Sequence, residues 1–138
     1  MTTEEKVLQK IRDLLIADNT IKTYVSTRVY EDHISTINEP IYPAISLYLA
    51  GSKPQFNVPE MVDMSIQLDI WLPIKDYDAS DAHEIVSRIR AILNRQNIKD
   101  TTIGITFMQV FESMNAPTMY EPETGLLHKP VKYEVTAI

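Results

Sequence analysis

The stretch Met61–Leu72, MVDMSIQLDIWL, alternates without a break. Val62, Met64, Ile66, Leu68, Ile70 and Leu72 stand against Asp63, Ser65, Gln67, Asp69 and Trp71. Side chains of a strand point alternately to opposite faces, so this period predicts one strand with a buried apolar side. A typical strand has about five or six residues, which makes this one long. Its second side is mostly polar, yet it carries the only Trp of the chain. A large amphipathic ring on such a face predicts contact with a partner. The alternatives are a Trp folded back over the edge of its own domain and a register shift at the strand end.

Outward from this strand, amphipathic helices are legible on either side. Thr2 and Glu5 have capping-box spacing, followed by Val7, Leu8, Ile11, Leu14 and Leu15 at helical period, which predicts a helix over about 3–17. Asp18-Asn19 ends it or caps a short turn carrying Ile21 and Val25. Behind the long strand, Pro73 acts as a stop and Asp76, Asp78 and Ser80 are cap candidates. Ala82, Ile85, Val86, Ile89, Ile92 and Leu93 then line one face of a helix over about 80–96.

Shorter strands fill the rest: 28–30, 44–49, 103–112 and 131 to the C-terminus. Residues 31–43 read as a Pro-bounded loop, 50–60 as a long loop or extended hairpin tip, and 97–102 as a turn. No repeat, low-complexity tract or linker divides the chain. The expectation is a single α+β domain over 1–138, with a mainly antiparallel sheet and two amphipathic helices packed on one face.

Composition narrows the function classes. A chain of 138 residues suits one domain with a real core. Net charge is −6 with no block of like charge, which argues against a nucleic-acid grip. There is no cysteine, so disulfides and thiolate metal sites are excluded and a reducing compartment is permitted. No apolar run approaches the roughly twenty residues of a membrane span. The polar start Met-Thr-Thr-Glu-Glu-Lys does not read as a signal peptide, and the expectation is a protein made and used in a cytoplasm.

Signals for chemistry are weak. The three glycines are isolated, so no phosphate loop is present, and no nucleophile elbow occurs. His33, His83 and His128 lack a second ligand at metal spacing. Asp76, Asp78 and Asp81 resemble the opening of a calcium loop, but Asp81 and Ser87 stand where Gly and Glu are needed. Helix capping explains the cluster better. His128, just after a turn, is expected to hydrogen-bond locally. The expectation is no enzyme, no cofactor and no metal. Seven tyrosines add a weak interface signal.

The succession of elements resembles a known family. An opening helix with Ile11, Leu14 and Leu15 precedes Arg28-Val29-Tyr30, and Pro43-Ala44-Ile45 begins the next strand. The long strand ends at Asp69-Ile70-Trp71, and the helix Ala82–Leu93 follows. The chain closes with Glu123-Thr124-Gly125-Leu126-Leu127-His128 and Tyr133-Glu134-Val135. This order and spacing resembles the tail terminator (tail completion) proteins of tailed bacteriophages over nearly the whole chain. The resemblance implies a virion protein assembled in the bacterial host cytoplasm. Its copies would form a hexameric ring on the head-proximal end of the tail tube, stop tube polymerisation and dock the neck or connector proteins of the head. DNA would pass through the ring without specific binding, and no catalytic residue is carried over. The expected interface residues are the outward row Asp63, Gln67, Asp69 and Trp71, with Phe56 as anchor of the loop before it. Alternatives are a head-completion or connector protein of the neck and, from another class, a small-molecule-binding regulatory module.

Overall fold

The computed structural model describes residues 1–138 as three α-helices and seven strands joined in one mixed sheet. The helices form where the period and caps place them. Helix α1, Thr3–Ala17, starts on a capping box of Thr2 and Glu5 and buries Val7, Ile11 and Leu15. Asp18 then caps the short α2, Asn19–Val25, by accepting the Ile21 N–H. Helix α3, Ala79–Leu93, starts on a second capping box, of Asp78 and Asp81. Arg88 of α3 bonds Asp18 Oδ1 at 2.6 Å, and that guanidinium holds the Asp18 carboxyl below the ordinary aspartate range.

Strands β1 (Val29–Tyr30), β2 (Ala44–Pro54) and β3 (Val62–Pro73) precede α3. Strands β4 (Gln96–Asp100), β5 (Ile105–Asn115), β6 (Met119–Glu121) and β7 (Leu126–Ala137) follow it. The sheet order is β1-β2-β3-β7-β5-β4, and β6 also pairs with β7. The short β1–β2 pair is parallel and the other pairs are antiparallel. The long alternating strand β3 lies inside the sheet, flanked by β2 and along its whole length by β7, from Val62↔Ala137 to Pro73↔Leu126. Its even-numbered side, from Met64 to Leu72, joins the buried stripes of α1, α2 and α3 in one cluster of 26 buried residues. The α+β class is therefore as the patterning predicts. No helix is long and apolar enough to cross a membrane.

Several boundaries differ from expectation, each for a physical reason. β2 runs on past a bulge between Leu49 and Gly51 to Pro54, so of the two readings of 50–60 the extended hairpin holds, with its tip narrowed to 55–61. β4 replaces the expected turn 97–102. It is a short edge strand paired only with β5, and it carries almost no apolar alternation. β7 begins at Leu126 rather than 131, although Pro130 argues against a central strand. Pro130 lies opposite the gap between β5 and β6, and its carbonyl accepts the Ala116 N–H. N–H and C=O of one extended residue point to the same side, so the missing donor also faces that gap and no bond to β3 is lost.

Candidate functional site

The polar side of β3 is where the sheet gathers its unusual residues. Register places Ser46 and Tyr48 of β2 beside Asp69 and Gln67, and His128 of β7 beside Trp71. Trp71 Nε1 donates to Ser46 Oγ at 3.1 Å, and its ring stacks on His128 with centroids 3.9 Å apart and planes 5° from parallel. His128 Nε2 and Gln67 Nε2 meet Asp69 Oδ1 at 2.9 and 3.0 Å. Burial works to raise the Asp69 pKa, but hydrogen bonds from His128, Gln67 and Tyr48 outweigh it and hold the carboxyl below its ordinary value. Burial beside that carboxylate pushes Tyr48 up to about 12.

This network is roofed by the chain itself. Ile34, Trp71 and Leu126 form a second small cluster, with Tyr30, Ile37 and Tyr42 packed against it. The roof comes largely from the Pro-bounded segment 31–43, whose only regular piece is a 3-10 turn at Ile34–Thr36. Trp71 is consequently 7% exposed and Asp69 1%. The expectation that these two line an outward, partner-facing row is corrected by this cover. They do share one side of the strand, but that side is sealed at its Trp71 end within the subunit, and Trp71 lies on an interior strand under other segments rather than folded over a domain edge.

The Asp–His pair invites comparison with the orienting half of a catalytic triad, in which the second ring nitrogen faces a nucleophile. Here the His128 Nδ1 faces Glu121 Oε1 at 3.9 Å, and the Trp71 indole covers one ring face. No hydroxyl or thiol nucleophile is aligned by this imidazole, and the group acts as a fixed bolt between β2, β3 and β7. The acidic cluster is equally occupied by local structure. Asp78 accepts the N–H groups of Ser80 and Asp81, while Asp81 accepts the Asp78 N–H and the Tyr24 hydroxyl.

The remaining expected residues lie elsewhere on the strand and its hairpin. Gln67 is half-buried and bound to Asp69. Asp63 accepts from Thr136 Oγ1 at 2.7 Å and from Gln55 Nε2 at 3.0 Å, and Thr136 is the larger cause of its lowered pKa. Phe56 is 97% exposed at the hairpin tip. The tip and the β2 half that leads to it, residues 50–54 and 56–60, are exposed throughout, so the β2–β3 hairpin ends in an arm lying outside the core.

A groove of about 800 Å³ lies at the opposite end of β3, among Tyr42, Ile74, Lys75, Tyr120, Pro122 and Leu126. The sequence signals missed this groove and the roles of Ser46, Tyr48 and His128. Only strand pairing over long sequence separations brings those residues together. No protein-family model matches the chain, and no curated protein matches it.

Proposed function

We propose that this chain is a structural subunit of a tailed bacteriophage. Its copies form a ring, expected to be hexameric, on the head-proximal end of the tail tube, where they end tube growth and join the tail to the neck. The observation that carries this reading is the exposed arm, with a bare phenylalanine at its tip between Pro54 and Pro59. An aromatic ring almost fully in water has no folding role in the subunit, and it is the type of side chain that anchors protein contacts. A closed ring of identical chains needs two different, complementary surfaces on each copy, and the arm supplies one. The element order read from the sequence supports the station on the tail, and the net charge of −6 suits a lumen through which DNA slides.

The test is genetic and microscopic. Particles assembled without this protein should carry overlong tails, or tails not joined to heads. DNA-leaking heads with normal tails would move the protein to the neck, and particles of normal form would reject both stations.

A further inference from the structure

We propose that the groove at the Pro73 end of β3 is the seat for the Phe56 arm of a neighbouring copy; this rests on the ring reading above. The two features flank the same strand, the arm before Val62 and the groove beyond Pro73. At about 3.4 Å per residue they are roughly 37 Å apart, so one chain cannot seat its own arm. Between copies, the same separation makes a head-to-tail contact that repeats around a ring.

The chemistry of the two surfaces matches. The groove has aromatic and proline walls, Tyr42, Tyr120 and Pro122, above Ile74 and Leu126. Tyr120 is exposed and Tyr42 half-buried. The arm offers Pro54, Phe56, Val58 and Pro59, apolar side chains on a Pro-bounded segment. Two prolines restrict that segment before it docks, which reduces the ordering cost of binding. Charges complement as well. Lys75 lines the groove and Glu123 follows Pro122 at its rim, while the arm carries Glu60 and Lys53. None of these four makes an ion pair inside its own subunit. Each surface thus presents a lysine and at least one carboxylate beside its apolar side chains.

The absence of native cysteine gives a clean test. One chain carries Asn57→Cys on the arm, and a second, distinguishable by size, carries Thr124→Cys in the groove. Both positions are exposed, so both variants should fold. Mixed at high concentration with a short bis-maleimide, they should give the cross-linked dimer of the two chains, while either chain alone gives little. Adding Phe56→Ala to the arm chain should lower the yield about tenfold with the melting curve unchanged. No mixed product, or equal product from either chain alone, overturns the arm-in-groove contact. Rings of wild-type protein at the same concentration would then keep the ring reading and place its contacts elsewhere. Wild-type protein that neither forms rings nor caps tail tubes would sink both.

Discussion

Asp69 has no lysine or arginine beside it, and its charge is held by an imidazole, an amide and a phenol. Its folded pKa lies below the ordinary 3.8, so the carboxylate contributes stability above that value and loses it as pH falls through the lowered one. Asp69→Asn should therefore cost about 1–3 kcal/mol near neutral pH, and the gap from wild type should close in acid. Urea melts at the two pH values check this. A gap that is the same in acid would mean that the loss is one of shape, not of charge. Trp71 and Phe56 make a paired prediction. Trp71→Ala removes a buried ring that stacks on His128 and should cost about 3–5 kcal/mol. Phe56→Ala, at a site 97% in water, should stay within about 0.5 kcal/mol of wild type. Thermal unfolding of both variants measures the contrast. The side of β3 on which Trp71, Asp69 and Gln67 sit is legible from period two alone. That segment 31–43 roofs them is not, because a loop without apolar periodicity announces no destination.

At the scale of elements, what is local in sequence is what could be read. Both long helices begin at side chains that satisfy their own first N–H groups, Thr2 with Glu5 and Asp78 with Asp81, and such boxes are visible in four residues. Asp78→Ala should cost about 1 kcal/mol, seen as a lowered melting temperature, while Asp78→Ser should restore most of it. An unchanged melting temperature for the alanine variant would show that α3 is held by its packing alone. The short strands were hidden for the opposite reason. β4 and β6 owe their extended form to pairing with β5 and β7, and β7 tolerates Pro130 only because the neighbouring edge is interrupted there. For the arm, Gly51, Pro54 and Pro59 are breakers that leave a loop and an extended hairpin tip equally open. A bulge after Leu49 lets β2 continue to Pro54.

The whole molecule combines a sealed end with an open one. At the Trp71 end, residues 31–43 and Leu126 cover the polar side of the sheet. At the other end the hairpin extends beyond the core and presents Phe56. The groove lies beside the sealed end, a strand's length from the arm. This polarity is what a head-to-tail assembly requires and a two-fold dimer does not, since a two-fold contact uses one patch twice. The most direct measurement is a cryo-electron-microscopy reconstruction of the tail end nearest the head. The account predicts a closed ring of this chain there, with every Phe56 buried against the next copy. A particle in which the chain is absent from that station, or in which Phe56 remains in solvent, would contradict it.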